Sequence, residues 1–134
     1  MTVDLNKIDL VIDKLEILTN NKDIVVLLRG DLASGKTTLV KNFARAKNIK
    51  DDVTSPTFSI QVVYSNNIYH YDLYNKSLDE FISLGILEEF EKKGIHFVEW
   101  GDENLEKILN DYGFEVLVID IEKKDDKREY HFKY

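Results

Sequence analysis

Cysteine is absent from the 134 residues, which excludes both a disulfide framework and a thiolate metal site. Proline occurs once, at Pro56, and no Pro/Gly-rich linker, repeat or low-complexity tract interrupts the chain, so one domain over residues 1–134 is expected. No apolar run approaches the roughly 20 residues of a membrane span. The start, Met1-Thr2-Val3-Asp4-Leu5-Asn6-Lys7, is polar and acidic, unlike a signal peptide, and a cytoplasmic protein that engages no membrane is expected. Positive charge is outweighed: 18 Lys/Arg stand against 25 Asp/Glu, a formal net charge of −7. Binding to a polyanion is driven by neutralised phosphates, so strong direct nucleic-acid binding is not expected. The segment from Glu122 to Tyr134 carries five Lys/Arg against four Asp/Glu, and no basic patch stands out.

What the chain does contain is an ordered alternation of patterns. Ile8, Val11, Ile12, Leu15 and Leu18 recur at helical spacing and predict an amphipathic helix over 7–19. Ile24 to Leu28 is a continuous β-branched and apolar run, as expected of a strand buried on both faces. Gly30 to Gly35 breaks it, and Lys36 to Ala46 reads as a helix. Residues 57–64 and 68–72 read as paired strands around Ser65-Asn66-Asn67, and 77–93 as helix with a break near Gly85. A strand over 95–100, a short helix over 103–111 and a hairpin of 114–121 with 129–134 complete the chain. Strand–loop–helix alternation followed by a hairpin predicts an α/β sandwich with a mixed sheet.

Gly30-Asp31-Leu32-Ala33-Ser34-Gly35-Lys36-Thr37 fits G-x-x-x-x-G-K-[ST]. Glycines let the backbone wrap phosphates closely, and successive N–H groups form an anion nest at the start of a helix. In such a loop the lysine, here Lys36, reaches the β- and γ-phosphates and the hydroxyl of Thr37 coordinates Mg²⁺. Average composition produces the four fixed positions by chance in roughly 1 in 200 chains of this length. The buried strand before the loop and the helix after it are the context the motif requires. Asn6-Lys7-Ile8-Asp9 matches the guanine-reading pattern Asn-Lys-x-Asp, but it precedes the loop and runs into a helix, so it is read as a coincidence and ATP is favoured over GTP by default.

A phosphate-loop enzyme needs a carboxylate at a neighbouring strand end, to hold Mg²⁺ or orient water. Asp72, Glu99 and Asp120 each end a predicted strand. Asp120 runs on into a charged hairpin and is expected to be a solvated edge residue, leaving Asp72 and Glu99, whose plainer reading is as surface carboxylates. Ser55-Pro56-Thr57 is either a switch segment that senses the γ-phosphate through Thr57 or a turn entering a strand. His70 and His96 are read as packed strand histidines outside the chemistry.

The succession of Gly30–Thr38, Ser55-Pro56-Thr57-Phe58, His70-Tyr71-Asp72-Leu73-Tyr74, Leu84-Gly85-Ile86 with Glu88, and Val98-Glu99-Trp100 resembles the bacterial TsaE family, also called YjeE, over about residues 5–120. The resemblance implies a P-loop NTPase-like three-layer α/β sandwich with a mixed central sheet and a C-terminal hairpin. It implies an ATPase of tRNA threonylcarbamoyladenosine synthesis that docks on a TsaD–TsaB heterodimer, meeting tRNA only through that complex. By position it implies nucleotide contacts from Asp31, Leu32, Ala33, Ser34, Gly35, Lys36, Thr37 and Thr38, with Trp100 beside the nucleotide or packed on the core. Thr57 would be the switch threonine, and Asp72 and Glu99 would join Thr37 in completing the metal and water arrangement. Three departures from the family pattern occur: Ala33-Ser34 replaces the usual Gly-Ala, Asn75 the usual Arg, and Gly101 a common Pro.

The three arginines, Arg29, Arg45 and Arg128, fall outside any switch or lid segment, with Arg128 in the tail. An arginine aimed at the γ-phosphate is worth roughly 10³–10⁵ in rate, so the isolated chain is expected to turn over ATP at roughly 10⁻²–10⁻⁴ per second and to be stimulated by partners. A small-molecule kinase and a nucleotide-gated binding module without required hydrolysis are the other readings.

Overall fold

The computed structural model describes residues 1–31, 34–50 and 61–134. Its strands are β1 (Thr2–Asp4), β2 (Ile24–Arg29), β3 (Gln61–Tyr64), β4 (Ile68–Asp72), β5 (Ile95–Glu99), β6 (Val116–Lys124) and β7 (Lys127–Lys133). The helices are α1 (Asp9–Thr19), α2 (Lys36–Ala46), α3 (Leu78–Ser83), α4 (Ile86–Phe90) and α5 (Glu103–Asp111). The strands form one seven-stranded sheet in the order β1-β7-β6-β2-β5-β4-β3. Its centre is parallel, because β2 pairs in parallel with both β5 and β6, and β5 with β4. Its flanks, β3 on β4 and β7 with β1 on β6, are antiparallel. The sheet is mixed, as the sequence pattern predicts.

Strand alternation splits the core into two layers. Ile24, Val26 and Leu28 of β2 face α1 and α2, joining Val11, Leu15, Leu39 and Phe43 in one buried cluster. Val25 and Leu27 face the other way, toward Phe81, Ile86, Phe90, Leu105 and Leu109 of α3, α4 and α5. A strand apolar on both faces is thereby a strand covered on both faces, which gives the three-layer sandwich.

Local chemistry sets the element ends. The Ser77 hydroxyl accepts from Glu80 N while the Glu80 carboxylate accepts from Ser77 N, a capping box that starts α3. Gly85, at φ 81°, separates α3 from α4, so the expected break in the 77–93 helix divides it into two. The predicted 7–19 helix begins later than expected, at Asp9, after a 3₁₀ turn over Leu5–Lys7. The hairpin strands run longer than predicted and meet at Asp125-Asp126, since Lys124 pairs with Lys127. Strand β1 carries no sequence signal of its own; its three residues are ordered by pairing with Lys127–Glu129.

Candidate functional site

The strand β2 delivers the chain to Gly30, and α2 starts immediately after Gly35. At Gly30 φ is +147°, and a Cβ there would stand 2.5 Å from the Ile121 carbonyl oxygen and 2.6 Å from Ser34 Oγ, so only glycine fits this turn without displacing backbone. Leu32, Ala33 and Thr57 lie outside the described residues. Ser34 is buried and the Asp31 carbonyl accepts from its N–H at 3.0 Å.

Lys36 opens α2 and is only 5% exposed. Its ammonium donates to the carbonyls of Gly30 at 2.7 Å and Asp31 at 3.0 Å, and lies 4.1 Å from the centre of the Trp100 ring. Three donors thus meet two oxygens and a ring face, which is how a buried ammonium avoids standing unpaired. Burial lowers the Lys36 pKa, and the carboxylates of Glu99, Asp72 and Asp31 oppose that shift.

The next residue, Thr37, donates its hydroxyl to Glu99 Oε2 at 2.9 Å. Glu99 ends β5 beside Asp72, its partner in register at the end of β4. Parallel strands with the loop-bearing β2 alongside bring both carboxylates to the same sheet end as the loop, where strand carboxyl ends meet a helix N-terminus. Asp72 Oδ1 accepts from Tyr74 N at 3.0 Å. Trp100 takes φ +68°, held by donation from its N–H to the Leu28 carbonyl, and this turns its ring toward Lys36 and Tyr74. The ring also packs against the second core cluster, as the packing reading of Trp100 expects.

A cavity of about 520 Å³ collects these groups, lined by Ser34, Gly35, Lys36, Thr37, Thr38, Asp72, Glu99 and Trp100. Its size falls within the roughly 300–1,000 Å³ of small-molecule sites. Asp31 instead faces a second cavity on the far side of the loop, against β6 and β7. Asn75, one of the family departures, takes φ +58° on the surface just beyond Asp72, while Gly101 is buried with Leu27 and Leu105 against it.

Three sequence expectations are corrected. Arg128 is not a remote tail residue: it lines the same cavity, and its Nε donates to the Ser34 carbonyl at 3.0 Å. The hairpin folds back along β2, which sequence proximity does not reveal. His70 is not merely packed, because its Nε2 lies 2.5 Å from Glu99 Oε2. The signal was legible as a polar residue two positions before Asp72 in a strand whose partner ends in Glu99. Asp120 is not on an edge strand: β6 is paired on both sides, and Asp120 pairs in register with Arg29 and forms an ion pair with Lys133 at 3.0 Å. Leu5 and Tyr130, absent from the sequence-based site, also line the cavity.

A glycine-bearing loop joining a central parallel strand to a helix, with carboxylates at the adjacent strand ends, defines an α/β fold of the P-loop NTPase type. The match extends to sequence. The family model described as "Threonylcarbamoyl adenosine biosynthesis protein TsaE" covers residues 4–130, and the chain belongs to the TsaE family. It is 32% identical over 115 residues to the tRNA threonylcarbamoyladenosine biosynthesis protein TsaE of Haemophilus influenzae, an alignment covering 83% of this chain and 70% of that protein. It is 41% identical over 81 residues to the Treponema pallidum protein of the same name, covering 58% of this chain and 60% of that one. The crystal structure of Bacillus subtilis YdiB superposes with a TM-score of 0.68 at 29% identity, covering 98% of this chain and 82% of that one. Against the curated relatives from Treponema pallidum, Bacillus subtilis and Nostoc, the chain spans between 49% and 60% of their length. No described helix is long and apolar enough to cross a membrane.

Proposed function

We propose that this chain binds ATP with Mg²⁺, hydrolyses it slowly, and supports threonylcarbamoyladenosine modification of tRNA in the cytoplasm together with TsaD and TsaB. The observation that carries the reading is the Thr37–Glu99 contact in the cavity that the buried Lys36 also lines. The residues suit a magnesium ion. Two oxygens 2.9 Å apart match the edge of an octahedron with bonds of about 2.1 Å, for which neighbouring ligands stand about 3 Å apart. Thr37 and Glu99 would hold the ion, with Asp72 beside them to hold it or to orient water. Bound there, the metal would supply positive charge to offset the negative charge that develops during phosphoryl transfer.

The chain's own groups do the rest. Lys36 exchanges its two carbonyl contacts for β- and γ-phosphate oxygens. The N–H groups at the start of α2 receive the anion along the helix axis. Trp100 and Tyr74, in ring contact, line the cavity together with Arg128, whose guanidinium could meet phosphate charge there. Arg128 is held by the Ser34 and Lys127 carbonyls, a position from which it clamps the loop, so slow turnover by the isolated chain remains the expectation. Family membership supports a role in threonylcarbamoyladenosine synthesis. ATP as the nucleotide and TsaD and TsaB as partners belong to the proposal, and the net charge of −7 agrees with contact to tRNA only through such partners.

Calorimetry with Mg·ATP on the parent, Lys36→Ala and Glu99→Gln tests the site. Heat is expected from the parent and from Glu99→Gln, and none from Lys36→Ala. Hydrolysis by Glu99→Gln should fall roughly 10²–10³-fold, the several kcal/mol a metal-held charge supplies. Co-purification with TsaD and TsaB, with ATP added or withheld, tests the partnership. An absence of association in both conditions would leave a nucleotide-binding domain without the proposed role.

A further inference from the structure

His70 is fully buried, in the middle of β4, where a purely structural side chain would be apolar. Its two ring nitrogens have unequal surroundings. Nε2 lies 2.5 Å from Glu99 Oε2, while Nδ1 is buried with no hydrogen-bond partner among the described residues. A buried polar atom without a partner is a cost that phenylalanine or leucine would avoid. What the histidine supplies in return is on the Nε2 side.

We propose that His70 is a positioning residue that fixes the Glu99 carboxylate, and through it the Thr37 hydroxyl, for the metal of the phosphate site. An ionised carboxylate only accepts hydrogen bonds, so the ring carries its hydrogen on Nε2 and donates it to Oε2. The same oxygen accepts from Thr37 at 2.9 Å. Two donors from two elements, one in β4 and one in α2, pin Oε2 and leave Glu99 a single rotamer. Because Thr37 spends its hydrogen on Glu99, its oxygen lone pairs turn toward the phosphate-loop cavity. A His70 donor therefore acts on the ion without touching it, as outer partners of metal ligands generally do. Backbone register puts this contact within reach: His70 pairs with Phe97 across β4 and β5, and Glu99 is the next residue of β5 on the same face.

This inference rests on the Mg·ATP reading of the site, and the test separates the two. Full-length parent, His70→Leu and His70→Gln are titrated with Mg²⁺ at fixed ATP, following both binding heat and phosphate release. His70→Leu should need roughly 10–100-fold more Mg²⁺ for half-maximal response. Its affinity for metal-free ADP should match the parent's, and its melting temperature should hold or rise as the orphan nitrogen is removed. His70→Gln, whose amide N–H reaches about as far as Nε2, should recover most of the Mg²⁺ response. In parallel, ¹⁵N NMR of the parent should show His70 protonated at Nε2 with a signal that moves in Glu99→Gln. A parent that binds no Mg·ATP overturns the functional reading and this proposal with it. A parent that binds while His70→Leu keeps its Mg²⁺ midpoint overturns the positioning role alone. Equal losses in both variants with lowered melting temperatures would also overturn it, by assigning His70 to packing.

Discussion

The guanidinium of Arg128 donates through Nε to the carbonyl of Ser34, joining the start of β7 to the phosphate loop across 94 positions of sequence. Two consequences are measurable. Arg128→Ala should lower kcat/KM for ATP by at least about tenfold, a modest part of what an arginine on a transferring phosphate supplies. Arg128→Lys should restore little, because an ammonium lacks the fork that reaches carbonyl and phosphate together. Steady-state phosphate release checks both variants; parental rates in each would limit Arg128 to anchoring the hairpin.

Trp100 is the sole tryptophan, and its ring stands 4.1 Å from the Lys36 ammonium. Phosphate drawing Lys36 away from the ring changes the charge beside the indole. Mg·ATP should therefore shift Trp100 emission in a saturable way, and Lys36→Ala should show no shift over the same range. Trp100→Phe should lose the signal while keeping calorimetric binding within about tenfold, the worth of a cation–π contact near 1 kcal/mol. A parent whose emission is unmoved at saturation would remove Trp100 from the nucleotide's surroundings.

Phe43 of α2 and Phe97 of β5 meet edge to face, with ring centres 5.3 Å apart and both side chains fully buried. This pair seats α2, and with it the phosphate loop, on the sheet. Phe43→Ala should cost about 3–5 kcal/mol by lost transfer energy and the cavity left behind. Denaturant unfolding is the measurement, and the expected change is in midpoint with the slope preserved. A loss below about 1 kcal/mol would mean that the neighbouring core collapses into the space.

His96 gives the fold a pH dependence of its own. Its Nδ1 faces the Tyr71 hydroxyl at 2.7 Å and its Nε2 the Lys92 carbonyl at 2.8 Å, an arrangement met by the uncharged ring. Burial lowers its pKa from the ordinary value near 6.5, against opposing effects of the Lys92 carbonyl, Glu89 and Asp23. The unfolded chain therefore binds a proton that the folded chain resists, and stability is lost as pH falls below about 6.5, at no more than about 1.4 kcal/mol per pH unit for this group. Unfolding midpoints at pH 7.5 and 5.5 should differ more in the parent than in Tyr71→Phe/His96→Phe, which removes both hydrogen-bonding partners together. Equal differences would assign the slope to other groups.

Much of the fold and site was legible because local chemistry repeats along the chain. A short β-branched run apolar at every position is the pattern of a strand covered on both faces, and β2 is one. The glycines and lysine of the loop fall between that strand and an amphipathic helix, as their motif requires. Asp72 and Glu99 were readable as strand ends, and the register of β4 with β5 sets them side by side. Spacing of this kind is local information, and periodicity carries it.

Contacts across the sheet depend on strand order, which no local pattern states. The sequence marked Asp120 as an edge residue because β6 turns into a hairpin, yet the hairpin returns outward and leaves β6 beside β2. That one choice of neighbour also carries Arg128 to Ser34 and leaves Asp120 beside Arg29. His70 looked like any packed strand histidine until β5 placed Glu99 against it. The amino-acid sequence by itself determined the loop, its flanking elements and the residue types at the strand ends, since backbone propensity and burial act within a few residues. Only the tertiary structure decided which distant side chains share the site, because hydrogen bonds spanning 29 to 94 positions exist only after the sheet has chosen its order.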